Sequence, residues 1–243
     1  MVVTLRALAE SLDGEAGDDT ELWGPFIRYW TLNESESDGC LDWRADIVMW
    51  TSAGDEVLVC FADFLTLKSD NRDGGEMLYI LDSISESAAS FSPFFDGSWL
   101  DPDIEETLGA GHVEYIVIVT YVFVESPLRG ACLGAWAVSE LAHRMLPSHT
   151  GLLLMPGALS TVAADRKPVS VFERKRDARM SQYWCSAGLS EVNGHPGFLA
   201  ASPAFTHLPE AREAFTGIRD LRFSLTVAEL RSGEIDPWSL DID

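Results

Sequence analysis

The sequence predicts an α/β domain of α+β type, built on a mixed sheet, and three observations carry that expectation. VEYIVIVTYVFV, residues 113–124, is apolar at nearly every position. A strand with two apolar faces must be covered on both, as in the centre of a sheet flanked by helices. After the turn ESPLRGACLG, the residues Leu133, Ala137, Leu141 and Met145 recur every four positions, which is one buried face of a helix. GLLLMPGAL at 151–159 then returns as a second buried strand. The unit is strand–turn–helix–strand, with a right-handed crossover if its strands are parallel. Third, LDWRADIVMW and VLVCFADFLTL flank the turn TSAGDE, with Gly54 inside it, and read as a hairpin over 41–67.

The remaining elements follow in chain order. VVTLRALAESL at the start suits either a strand or a short helix. DGEAGDD is an acidic turn, LWGPFIRYWTL an aromatic segment that packs on the core, and NESESDG at 33–39 an exposed loop. Met77, Ile80, Leu81, Ile84 and Ala88 lie near helical spacing, so a helix is expected from about 75 to 90. Residues 96–111 read as a loop with one helical turn. In the central strand, Tyr115, Val117, Val119, Tyr121 and Phe123 are expected on one face, and Ile116, Ile118, Val122 and Val124 on the other. Pro147 is expected to end the following helix. FERKRDARMSQYWCSAGL predicts a helix from about 171 to 187, closed by Gly188. Asn193-Gly194 marks a hairpin turn. LPEAREAF reads as helical, LRFSLTVAEL as a strand, and the chain ends in an acidic tail.

Composition limits function. In 243 residues, 47% are apolar, enough for a core. Against 17 Lys+Arg stand 39 Asp+Glu, a formal net of −22. Such a chain repels nucleic acid and anionic membrane, and attracts cations, amines or basic proteins, unless its charge serves solubility alone. Cys40, Cys60, Cys132 and Cys185 match no zinc or disulfide framework, so reduced thiols in a cytoplasmic protein are expected. No HxxxH pair occurs, so no metal site is expected. The N-terminus lacks the pattern of a signal peptide, and the longest apolar run is too short to span a bilayer as a helix.

The turn Arg129–Gly134 admits two readings. At a helix start several amides lack helical partners and carry the positive end of the dipole. Small residues at 130, 131, 132 and 134 would let a phosphate approach that backbone. The alternative is an ordinary strand-to-helix turn.

The element order, together with PLRGACLG and YWCSAGL, resembles the GNAT superfamily of acyl-CoA N-acyltransferases over roughly residues 42–202. The family motif [QR]-x-x-G-x-[GA] is matched by Arg129 at its first position and Gly134 at its last, with Cys132 in place of the middle glycine. Tyr183 to Leu189 resembles the family's Y-W-x-x-x-G-F ending. The resemblance implies a GNAT-like core at 41–202 with accessory segments at 1–40 and 203–243. It implies acetyl-CoA or another acyl-CoA as cofactor. Arg129, Gly130, Ala131, Cys132, Leu133, Gly134 and Ala135 would cradle the pyrophosphate, and Val122, Phe123 and Val124 would offer main-chain groups to the pantetheine arm.

The reaction implied is acyl transfer to an amine, on a small molecule or protein and possibly cationic, which needs a base and an acid. The family's tyrosine acid falls at Trp184 here, so Tyr183 is the acid candidate, against a structural role in its helix. Glu114 and Glu125, flanking the strand, are candidate bases, against solvated strand ends. Six basic residues, Arg166, Lys167, Arg174, Lys175, Arg176 and Arg179, form a patch that either meets the cofactor's 3′-phosphate or makes a solvated helix face. Two rival readings remain: a catalytically degenerate CoA-sensing or protein-interaction module, and an acidic decoy for a basic protein.

Overall fold

The computed structural model describes residues 2–12, 19–32, 40–68, 77–97, 99–108, 112–146, 150–157, 171–203 and 207–235. The expected loop at 33–39, Pro147, Arg166, Lys167 and the acidic tail beyond 235 lie outside them, as does the side chain of Arg174.

The first segment is strand and helix in succession. β1 (Val2–Thr4) runs into α1 (Leu5–Ser11), where the Thr4 hydroxyl caps the helix by accepting from the Ala7 amide at 3.2 Å. β2 (Thr20–Thr31), β3 (Cys40–Thr51) and β4 (Glu56–Lys68) follow as an antiparallel meander. The aromatic segment at 22–32 is thus a full strand, and the expected hairpin is β3–β4. The helix expected over 75–90 is broken into α2 (Met77–Ile84) and α3 (Glu86–Ala89). Ser85 breaks it: its extended backbone interrupts the helix while its hydroxyl caps the Ala88 amide at 3.1 Å. The expected loop holds a small hairpin, β5 (Phe95–Asp96) with β6 (Trp99–Leu100), and then α4 (Pro102–Leu108).

The central unit is β7 (Tyr115–Val124), α5 (Leu133–Met145) and β8 (Gly151–Pro156), with β7 and β8 parallel. α6 (Val171–Cys185) leads to the closing hairpin of β9 (Ser190–Glu191) and β10 (Phe198–Ala201). α7 (His207–Ala214), a 3-10 turn at Thr216–Asp220, β11 (Arg222–Leu225) and α8 (Val227–Arg231) complete the chain. The segment read as one strand at 221–230 is half helix, started by a capping box between Thr226 and Glu229.

The sheet order is β11-β2-β3-β4-β7-β8-β10-β9, and β1 pairs in parallel with β4 beyond the end of β7. The architecture is therefore mixed α/β with a mostly antiparallel sheet. Both flanking segments add strands to this one sheet. The two larger of three apolar clusters sit on opposite faces. One joins Ala45, Ile47, Ala62, Phe64, Val117 and Val119 to α1, α5 and the C-terminal elements. The other joins Leu65, Leu67, Ile116 and Ile118 to Met77, Leu81, Phe91 and Phe94.

A β-bulge corrects the expected faces of β7. Asp63 pairs with Tyr121 but Phe64 pairs with Val119, so Thr120 is an extra residue. The alternation reverses there. Val117, Val119, Val122 and Val124 share the α5 side, while Ile116, Ile118 and Phe123 join clusters on the other.

An ionic clip ties the C-terminal segment to α5. The Glu140 carboxylate, 5% exposed, accepts from Arg212 at 3.0 and 3.3 Å and lies 3.8 and 3.7 Å from Arg144 and Arg219. Burial alone would push this carboxyl up, but hydrogen bonding from Arg212 and the three positive charges outweigh it and hold it below the usual carboxylate range. A lowered folded value stabilises above the unfolded pKa and is lost as pH falls through the folded one. Arg212→Ala is therefore expected to cost about 1–2 kcal/mol at neutral pH, the low end for charge-assisted bonds because Arg212 is partly exposed. Denaturant titrations across pH should show that deficit shrinking through the acidic carboxylate range.

Candidate functional site

β7 and β8 pair only from Tyr115↔Gly151 to Ile118↔Leu154. Beyond that point β8 keeps its antiparallel partner, with Met155 and Pro156 opposite Leu199 and Phe198 of β10. β7 stays with β4 as far as Val124↔Cys60. The two parallel strands thus part where the Thr120 bulge occurs, and the edge of β7 from Val119 to Val124 borders a cleft of about 820 Å3. Thr120 itself donates from Oγ1 to the Asp63 carbonyl at 3.1 Å, so its hydroxyl fastens the bulge.

The cleft has three further walls. One is the turn after β7, with Leu128, Arg129, Gly130, Cys132 and Leu133. The second is the end of β8. The third is α6, which presents Lys175, Arg176, Arg179, Met180, Tyr183 and Trp184. Half of the basic cluster therefore faces the cleft.

The turn begins as a 3-10 helix at Ser126–Leu128. Gly130 follows with φ +93°, and nothing lies within 4 Å of where its Cβ would stand. Cys132 has φ 61° and ψ 16°, the left-handed region, and is the one non-glycine residue with positive φ among those described. It immediately precedes α5, and its carbonyl accepts from the Trp136 amide at 2.9 Å. The amides of Gly130, Ala131, Cys132 and Leu133 donate no hydrogen bond to any described residue. The Ala135 amide differs: it donates to the Tyr183 hydroxyl at 2.9 Å.

Tyr183 is thus a cap for α5 at the floor of the cleft. Burial pushes its phenol up to about 12. Trp184 packs edge-on against it with ring centres 4.8 Å apart. The small side chain at Gly134 has a packing reason, since a Cβ there would meet Tyr183 Oη at 3.2 Å, Val124 Cγ2 at 3.3 Å and Trp184 at 3.4 Å.

The other expected residues divide. Val122, Phe123, Val124, Arg129, Gly130, Cys132 and Leu133 come together at the cleft. Ala131 joins Gly130 to Cys132 along the same turn. Arg129 is held by its own chain: its Nε donates to the Val124 carbonyl at 2.9 Å, it pairs with Glu234 at 3.1 Å, and it lies 5.5 Å over the Phe123 ring. Glu125 does not line the cleft. It is fully buried, and its two oxygens accept from the Glu234 and Ile235 amides at 2.8 and 3.0 Å, fastening the C-terminal segment. Glu114 is exposed at the opposite end of the strand, where its amide donates to Thr150. Neither residue lines the cleft.

Met155, Met180 and Glu234 line the cleft without having been singled out in the sequence. Met180 lies at helical spacing from Arg176 and Trp184, so the face of α6 held a readable signal. All four cysteines are unpaired, no three metal-binding side chains cluster among the described residues, and no described helix is long and apolar enough to cross a membrane. Compared with family models, curated proteins and solved structures, the chain matches none.

Two substitutions test this local geometry. Cys132→Gly should leave stability unchanged or raise it by up to about 1 kcal/mol, because the left-handed conformation costs a side chain about 1–3 kcal/mol. Tyr183→Phe should lower stability by about 1–2 kcal/mol, since it removes the acceptor of a half-buried amide. Thermal or denaturant unfolding of each variant reads both.

Proposed function

We propose that this protein is a GNAT-like N-acyltransferase that binds acetyl-CoA, or another acyl-CoA, in the cleft between β7 and β8 and transfers its acyl group to an amine. The observation that carries the reading is the parting of two parallel strands directly beside a turn with four amides unpartnered among the described residues, with three cations on the α6 wall of the same cleft. Residues 122–124 offer the pantetheine arm a strand edge. The amides of Gly130–Leu133 face the diphosphate at the positive end of α5. Lys175, Arg176 and Arg179 supply counter-charge from the other wall.

The chemistry is attack of a neutral amine on the thioester carbonyl. The C–N bond forms, the C–S bond breaks, the amine loses a proton and the thiolate gains one. Tyr183 reaches the floor of the cleft with its O–H intact, but a phenol raised to about 12 is a reluctant acid. Glu125, with both oxygens bonded to amides, has no place in proton transfer. That pair of observations favours a second reading, a GNAT-fold module that binds CoA without rapid turnover.

Thermal unfolding with acetyl-CoA tests the binding. At a ligand concentration 100 times Kd the native state gains about 2.7 kcal/mol. Reversing the charge of Lys175 and Arg179 together to Glu should weaken binding by tenfold or more, a loss of about 1.4 kcal/mol. No shift at millimolar acetyl-CoA contradicts the cofactor assignment. A shift without thiol release across an amine panel selects the non-catalytic module.

A further inference from the structure

The C-terminal segment does more than add a strand to the sheet. With α5 it encloses a second cavity, of about 660 Å3, within the range of roughly 300–1,000 Å3 that small-molecule sites occupy. Trp136, Glu140 and His143 line it at i, i+4 and i+7, one face of α5. The facing wall is α7 and the residues that follow it, with Leu208, Arg212, Phe215 and Arg219. This cavity shares no lining residue with the cleft between β7 and β8.

Two kinds of surface meet in it. Trp136, Leu146, Leu208 and Phe215 make one side apolar. The other side is cationic, in a chain whose formal net charge is −22. Arg144, Arg212 and Arg219 all gather at the single carboxylate of Glu140. Glu213 is the other carboxylate that lines the cavity, and it is exposed. Three guanidinium groups against two carboxylates leave a surplus of one positive charge. Donors are left over as well. Arg212 directs Nε and Nη2 to Glu140, and its Nη1 donates to no described residue. Arg219 stands 3.7 Å from Glu140, beyond hydrogen-bond reach, with its side chain 60% exposed, and it too donates to no described residue. An apolar lining beside guanidinium donors with spare N–H groups matches an amphipathic anion.

We propose that the cavity between α5 and α7 binds a monocarboxylate with an apolar body, of the medium-chain fatty-acid class. Its carboxylate accepts from Arg219 and from Nη1 of Arg212, and its chain lies against Leu146, Leu208 and Phe215. Arg212 then stands between two carboxylates, that of Glu140 and that of the ligand. The surplus of one charge fits a single carboxylate, whereas a phosphate monoester brings about two negative charges. Binding here is non-covalent and independent of the acyltransferase reading.

The test is a calorimetric titration of the full chain with octanoate, octanol, acetate and octyl phosphate. Octanoate should bind about tenfold more tightly than octanol, which lacks the charge, and than acetate, which lacks the chain. It should bind no more weakly than octyl phosphate. Arg219→Gln should weaken octanoate about tenfold and leave octanol unchanged. Thr216, exposed on the cavity wall, gives a second variant: Thr216→Trp fills the space and should weaken both ligands, and it serves if Arg219→Gln does not fold. Equal affinity for octanoate and octanol, tighter binding of octyl phosphate, octanoate affinity that survives both variants, or no binding of octanoate overturns the proposal. So does octanoate affinity that Lys175→Glu with Arg179→Glu abolishes and Arg219→Gln leaves intact, since that places the ligand in the other cleft. The thermal shift with acetyl-CoA should be the same in Arg219→Gln as in wild type, and its absence from both bears on the acyltransferase reading alone.

Discussion

The constraint on which the molecule turns is that β7 has two neighbours and stays with only one of them. Antiparallel pairing holds it to β4 along nearly its whole length, whereas parallel pairing with β8 covers only Tyr115 to Ile118. An unpaired strand edge inside a fold is expensive, because its amides and carbonyls need partners. Here several local features agree in producing it. The extra residue at Thr120 twists β7, Pro156 brings no N–H to the end of β8, and β10 holds Met155 and Pro156 on the far side. The close approach of β8's end to α6 reinforces the divergence, since a Cβ on Gly157 would stand 2.6 Å from Ser181 Oγ. The result is an exposed edge next to a helix start, two kinds of unsatisfied backbone in one place.

Charge is distributed around that gap with a clear polarity. A chain with a formal net of −22 places Lys175, Arg176 and Arg179 on the cleft wall. The glutamates are put to structural use: Glu125 anchors Glu234 and Ile235, and Glu140 gathers three arginines. Both tie the C-terminal segment to the elements that frame the cleft.

What could be read beforehand was local. The β3–β4 hairpin, the apolar β7, the four-residue repeat of α5 and the Asn193-Gly194 hairpin each depend on periodicity or turn chemistry within a dozen residues. The turn at 129–134 was legible for the same reason, as small residues ahead of a helix, whereas the positive φ of Cys132 was not read from the sequence. What escaped depends on distant partners. The face reversal in β7 is set by pairing with β4, and the role of Glu125 rests on amides more than a hundred positions away, at Glu234 and Ile235. The cap that Tyr183 gives Ala135 joins two helices that sequence spacing does not connect. Some signals were present but unused. Thr226 and Glu229 spell a capping box, and Asp42, Arg44 and Asp46 alternate within an apolar strand, marking a polar face.

Hydrogen–deuterium exchange with and without CoA tests the central claim most directly, because it reads the backbone amides of the open strand edge and of the turn. The account predicts that CoA slows exchange at Val119–Val124 and at Gly130–Leu133 together, with little change at Ile116 and Ile118, where β7 is already paired on both sides. Protection confined to other parts of the sheet, or none at saturating CoA, would contradict it.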